Sequence, residues 1–359
     1  MPQSVAAHAR LLQSDPAPGA VLSTAPPAVT LVFSEAVTPA GTGIRVYAPS
    51  GRQVAHATAA RGAVLAASMD AEGAGTYVVL WQVYAADTHP SRGAFDFAVG
   101  HTSPNPFASL LEAPEAGTAT PLGLALQALA RLIHFAGFAL VFGIVAYRTL
   151  TGRKGPFGRL VGAGVVLLIL AEPVALLGQL ASLSFDADTT LAVLGSSFGR
   201  ILGLRLGAAL LAWTLIATER PWPVLAVGAA TAVLDGFTAH GIPAVPFAGQ
   251  LLVAGHVGAM GLWVGGIAAF VGSPDARFGR YALVTFGVAA TSGLVLALLH
   301  TSFGAGLLTT DYGRVLLLKV LVVGAAVVAA LLRRRRLELG IAITAVAVAS
   351  LLGALPPPY

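Results

Sequence analysis

From residue 122 onward the chain is a near-continuous series of apolar stretches, each of about twenty residues, and few folds can accommodate that. Eight are distinguishable, at 122–150, 158–183, 197–217, 222–240, 248–272, 279–301, 313–332 and 339–356. Hydrocarbon offers the backbone no hydrogen-bond partners, so a spanning segment must close its own ladder as a helix. At about 1.5 Å per residue each stretch covers a bilayer core of about 30 Å. The sequence therefore predicts an all-α polytopic membrane domain of eight transmembrane helices over residues 122–359. Up to residue 101 the texture differs: short aromatic and β-branched runs alternate with Pro, Gly and charge, which predicts a soluble all-β domain. Residues 102–121, rich in Pro, Ser, Ala and Gly, read as a linker.

Charge places the spans. The net charge of +5 does not point to nucleic acid, because the basic residues sit in loops between apolar stretches. Arg148, Arg153, Lys154 and Arg159 fall in one loop, Arg220 in a second, Arg277 and Arg280 in a third, and Arg333 to Arg336 in a fourth. The alternate loops hold Asp186, Asp188 and Asp311. Under the positive-inside rule the basic loops are cytoplasmic, and both the β domain and the C-terminus lie outside. The expected location is a bacterial cytoplasmic (inner) membrane, with the lipid bilayer as partner. The absence of cysteine excludes disulfides, zinc ribbons and thiolate metal sites.

Within the first part, Ala28–Phe33, Gly43–Tyr47, Thr76–Tyr84 and Gly93–Val99 read as strands, and Asp15–Ala20 and Pro49–Gly51 as turns. This spacing predicts an antiparallel Ig-like sandwich or Greek-key barrel. Directly after the Thr76–Tyr84 run come Ala85-Ala86-Asp87-Thr88-His89-Pro90. In an extended chain Asp87 and His89 share one side, which puts a carboxylate and an imidazole together; a solvated turn shows the same pattern. Residues 1–7 are too short and polar for a signal peptide, yet Val5-Ala6-Ala7 has the small-residue pattern of a cleavage site. A chain beginning at His8 would offer an α-amine beside an imidazole, two nitrogen ligands from one residue.

Several separated motifs together resemble the CopC family of periplasmic copper-binding proteins. They are His8-Ala9, Ser14-Asp15-Pro16-Ala17-Pro18-Gly19, Leu31 to Val37, Gly75-Thr76-Tyr77, Trp81, Asp87-Thr88-His89-Pro90 and Gly93 to Phe97, in the family's order over residues 8–101. The resemblance implies Cu(II) held by His8, Asp87 and His89, a nitrogen and carboxylate set suited to tetragonal copper. With Met1, Met69 and Met260 the only methionines, no separate Cu(I) site is expected in the soluble domain, and His56 and His101 read as surface residues.

The membrane part carries an internal repeat, 122–240 against 248–356. Leu132 to Gly143, with His134, resembles Ala254 to Gly265, with His256, and each is followed by Phe-Gly-Arg ending at Arg159 or Arg280. Phe198-Gly199-Arg200 with Arg205 echoes Tyr312-Gly313-Arg314 with Lys319. Parallel duplication is a transporter construction. The stretches His256 to Gly266, Arg277 to Arg280 and Tyr312 to Lys319 resemble the CopD family of copper-resistance membrane proteins, and the order of the two parts resembles YcnJ-type copper uptake proteins.

Ionisable groups inside spans are costly and ask for a reason. On the predicted orientation His134, His240, His256 and His300 gather in the outer half, and Met260 lies one helical turn below His256. Read with the resemblance, they form a path for copper passing from Cu(II) to Cu(I), between an extracytoplasmic donor and a cytoplasmic acceptor. Arg200, Arg205, Arg314 and Lys319 are expected to snorkel or to pair with Glu172 or Asp235; Glu172, beside Pro173, reads as salt-bridge partner or proton carrier. The leading expectation is copper import rather than enzymatic activity. The alternatives are a b-type haem protein that reduces copper and a membrane-anchored copper store or sensor. A copper-brace oxidative enzyme fits poorly, because Asp87 would occupy the position oxygen needs. No Walker-type phosphate loop occurs, so uphill movement would draw on an ion gradient, the membrane potential or a copper sink.

Overall fold

The computed structural model describes residues 9, 11–84, 90–112, 120–152, 157–183, 185, 187–238, 246–301, 304 and 306–355. The chain forms two compact units, Met1–Gly123 with Gln179–Arg200, and Leu124–Gly178 with Ile201–Tyr359.

The first unit contains eight strands: β1 (Leu11–Asp15), β2 (Val21–Leu22), β3 (Ala28–Phe33), β4 (Thr38–Tyr47), β5 (Ala55–Arg61), β6 (Val64–Met69), β7 (Gly75–Tyr84) and β8 (Pro90–Val99). They make two four-stranded sheets, ordered β1-β3-β6-β5 and β2-β8-β7-β4. All pairings are antiparallel except the short β2, which runs parallel to β8. Strand alternation decides the core: Val29, Leu31 and Phe33 of β3 face inward, as do Tyr77, Val79, Trp81 and Val83 of β7. Trp81 meets Phe33 edge-on across the two sheets, with ring centroids 5.1 Å apart. Its indole fits because Gly93 lies opposite it in the β7–β8 register; a Cβ there would fall 2.5 Å from the ring. After β8 the chain folds back on the sheet. The Asn105 amide donates to the carbonyls of Ala48 and Thr76, and Phe107 stacks on Tyr47 at 3.9 Å.

The helices are α1 (Pro121–Phe138), α2 (Ile144–Thr151), α3 (Gly158–Ser182), α4 (Ala187–Gly195), α5 (Ser197–Ile216), α6 (Pro221–Phe237), α7 (Pro246–Gly272), α8 (Phe278–Thr301), α9 (Gly306–Thr309), α10 (Asp311–Leu331) and α11 (Arg335–Leu352). A wide π turn, Ala139–Gly143, joins α1 and α2 into one rod of 31 residues. Among the described residues six helices are long and apolar enough to cross a bilayer: the α1–α2 rod, α3, α5, α7, α8 and α10. Two of the eight expected stretches fall short of that measure. Helix α6 is apolar but has 17 residues, and α11 has 18 and opens on Arg335, Arg336 and Glu338.

In the second unit α7 crosses the α1–α2 rod at the π turn. The contact is backbone to backbone: a Cβ on Gly265 would run into the Ala139 carbonyl, and one on Gly143 would lie 2.8 Å from the Gly265 Cα. Close approach of this kind needs glycine, the usual means of helix association where water provides no driving force. The crossing brings together the two helices that carry His134 and His256.

Candidate functional site

Strands β7 and β8 pair in full register up to Tyr84 opposite Pro90. Asp87 and His89 belong to the connection between those strands, which, like His8 and His240, lies outside the described residues. The frame around them is well defined. Tyr84 and Ser91 are buried on either side of the connection, and Ala9, next to His8 in sequence, is buried in the sandwich core. The other histidines of the sandwich are exposed: His56 bonds Asp70 at 2.9 Å, and His101 bridges back to Val99.

In the second unit four helices converge on an ionic cluster. His134 of α1 is 1 % exposed, Glu172 of α3 is 4 % and Asp235 of α6 is 6 %. His134 Nε2 lies 3.0 Å from the Asp235 carboxylate, and its Nδ1 lies 3.5 Å from Glu172 Oε1. The Arg205 guanidinium of α5 stands between the acids, with Nε 3.2 Å from Glu172 Oε1 and 3.5 Å from Asp235 Oδ1. Arg131, one turn before His134 on α1, is within electrostatic reach of Arg205 and Asp235. Pro173 follows Glu172 within α3 and removes one backbone hydrogen bond from that turn.

His256 keeps different company. Its Nδ1 lies 2.9 Å from the Ala289 carbonyl and 3.1 Å from Ser292 Oγ, both on α8, and Lys319 Nζ of α10 approaches Nε2 at 3.3 Å. Met260, one turn on, packs into the apolar cluster around Trp263 and Phe278. His300 bonds its own helix at the Leu296 carbonyl, 2.9 Å away, with its ring 6.1 Å from that of Tyr312. Two of the expected cations are peripheral: exposed Arg200 reaches the Gly195 carbonyl, and exposed Arg314 reaches the Leu308 carbonyl and Asp311.

The sequence repeat thus gives two histidines on corresponding helices, each beside a corresponding cation, Arg205 or Lys319. The acids do not repeat. With Phe157-Gly158-Arg159 laid on Phe278-Gly279-Arg280, Glu172 falls on Gly293. In the structure Gly293 indeed faces His256, at 2.8 Å from a notional Cβ to the ring Cε1. With Phe198-Gly199-Arg200 laid on Tyr312-Gly313-Arg314, Asp235 falls on Ala349. Sequence reading missed Arg131, Ser292 and Gly293; the alignment of the repeat was the signal for Gly293, and nothing local marks the other two. Among the described residues no group of three or more His, Asp or Glu has a metal-holding arrangement.

Comparison with known proteins follows this division. The CopC domain family matches residues 11–100, and the family described as Copper resistance protein D matches residues 276–342. Protein YobA of Escherichia coli K12 is 34% identical over 101 residues, which cover 27% of this chain and 82% of YobA; the YobA of Shigella flexneri gives the same figures. Among solved structures, CopC from Methylosinus trichosporium OB3b is 27% identical, with 27% of this chain and 98% of that one covered and a TM-score of 0.24. PcoC, a methionine-rich copper resistance protein from Escherichia coli, is 29% identical, with 26% and 98% covered and a TM-score of 0.23.

Proposed function

The chain belongs to the CopC family and carries its CopC domain fused to a CopD domain; from that premise we propose that it captures Cu(II) outside the cytoplasmic membrane and imports it. Both families are copper resistance and transport families, and the apolar helices make the chain a multi-pass membrane protein. His8, Asp87 and His89 are the proposed Cu(II) ligands. Imidazole, amine and carboxylate donors suit the tetragonal preference of Cu(II), at the top of the divalent affinity order.

The observation that supports a route through the helices is His256. An imidazole inside a span, oriented by Ala289 and Ser292, presents Nε2 as its metal-coordinating nitrogen, with the thioether residue Met260 one turn further along α7. His240 and His300 complete the proposed route. His134 we assign to the ionic cluster instead, because both of its ring nitrogens face carboxylates. The same geometry disfavours the b-type haem reading for His134, whose Nε2 is bonded to Asp235.

The test is copper accumulation in cells lacking other uptake, with the wild-type chain, His89→Ala and His256→Ala. Import through this route predicts loss of accumulation in both variants at unchanged membrane abundance. Accumulation unchanged in His256→Ala would contradict it.

A further inference from the structure

We propose that Glu172, His134, Asp235 and Arg205 form a proton-binding site in the membrane part, and that a proton exchanged there accompanies copper movement. The second clause rests on the transport reading above; the first does not.

His134 Nε2 stands 3.0 Å from the Asp235 carboxylate, which can only accept, so Nε2 carries the hydrogen and donates it. In the neutral ring Nδ1 is then a lone pair, and it faces Glu172 Oε1 at 3.5 Å. Two acceptors confront each other with no hydrogen between them. Neither Nδ1 nor either Glu172 oxygen makes a hydrogen bond among the described residues, although both side chains are buried. Buried acceptors without a hydrogen bond are expensive, even with the Arg205 guanidinium 3.2 Å from Glu172 Oε1, and one added proton links the two: on Nδ1 it is donated to Glu172, and on the Glu172 carboxyl it is donated to Nδ1. The gap of 3.5 Å closes to hydrogen-bond length by a small side-chain shift.

Charge shows what that proton changes. Two carboxylates, Glu172 and Asp235, face two guanidiniums, Arg205 at ion-pair distance and Arg131 within electrostatic reach. These balance, and the proton between Glu172 and His134 is the charge left to vary. On release it passes to water as hydronium, leaving Glu172 as a carboxylate beside Arg205 and His134 neutral. The repeat sharpens the assignment, since the corresponding places in the second half are Gly293 and Ala349. One copy of the duplicated motif is built for a proton, and among the described residues the other, at His256, has a carbonyl, a hydroxyl and an ammonium for its polar neighbours.

Infrared difference spectra of the full chain in lipid, recorded across pH, test the site. The expected result is a carboxylic-acid C=O band that comes and goes with pH and is absent in Glu172→Gln. Should that variant fail to fold, Glu172→Asp must move the band and 13C-glutamate labelling of the wild-type chain must shift it. A pH-dependent spectrum identical in wild type and Glu172→Gln, or unshifted by the label, overturns the proposal. The coupling is read in proteoliposomes with internal copper and pH dyes. Copper movement accompanied by a pH change, lost in Glu172→Gln, supports it; copper movement with no pH change overturns the coupling. No copper movement in the wild type, with the infrared band present, overturns the transport reading and leaves the proton site standing.

Discussion

Lys319 Nζ lies 3.3 Å from His256 Nε2, so a side chain of α10 holds the one ring nitrogen that α8 leaves open. The Ala289 carbonyl accepts from Nδ1, which makes Nε2 the acceptor and Lys319 the donor. A metal ion and this ammonium compete for one lone pair. Lys319→Leu removes the competitor without adding a copper-binding atom. A charged hydrogen bond is worth about 1.5 kcal/mol or more, so the variant should bind Cu(I) about tenfold more tightly. Competition with a chromophoric chelator on the purified full chain reads this; unchanged affinity would mean that copper does not use Nε2.

Arg205 and Arg314 are both cations of the repeated motif, in different halves and at different places in it, and should respond differently to removal. Arg205 lies against two buried carboxylates. Removing one partner of a buried ionic group leaves charge uncompensated, at a cost of about 3–5 kcal/mol. Arg205→Ala should therefore lower the thermal unfolding midpoint sharply. Arg314 pairs with Asp311 at 3.5 Å in an exposed setting, and Arg314→Ala should change stability by about 0–1 kcal/mol. Similar losses from the two variants would argue against the cluster.

Two glycines of α7 separate close contact from spare room. A methyl at Gly265 would enter the Ala139 carbonyl, a backbone atom that cannot turn aside, whereas a methyl at Gly258 would have Ala232 Cβ at 3.6 Å. Gly265→Ala should cost at least about 1–3 kcal/mol by overpacking. Gly258→Ala should be neutral or gain up to about 1 kcal/mol of helix propensity. Thermal unfolding of the two purified variants side by side checks the crossing.

How much of this was legible in the sequence differs between the parts. Long apolar runs report helices directly, and the limits of α3, α5 and α7 lie within a few residues of the expected ones. Strands β3 and β7 were equally plain, because Val, Leu, Tyr and Trp alternate or mass there. Strands β5 and β6 escaped notice: Ala55 to Arg61 and Val64 to Met69 are alanine-rich, and their strand state comes from pairing with each other and with β3. Glu172, Asp235 and Arg205 stood out singly as costly residues in apolar runs. That they meet one another and His134 depends on how α1, α3, α5 and α6 pack, which local sequence does not encode. Repetition alone suggested equal roles for His134 and His256; the carboxylates beside one and the glycine beside the other separate them.

In the sandwich, Gly93 is the position where β8 yields to Trp81. The indole ring atoms lie 2.5 to 2.9 Å from a notional Cβ, and Trp81 is itself fixed edge-on to Phe33. Gly93→Ala must displace the indole or the strand, at a cost of about 1–3 kcal/mol. Chemical denaturation followed by tryptophan fluorescence should show a lower midpoint with an unchanged slope.

Copper capture by the soluble domain is the claim on which the functional account rests, and Cu(II) titration followed by electron paramagnetic resonance tests it most directly. The comparison is between the full chain, a chain beginning at His8, and the latter with Asp87→Ala or His89→Ala. The account predicts a tetragonal signal with nitrogen hyperfine structure at one equivalent in the chain beginning at His8, lost or altered in both variants. An unchanged signal in the variants, or none in any chain, would contradict it.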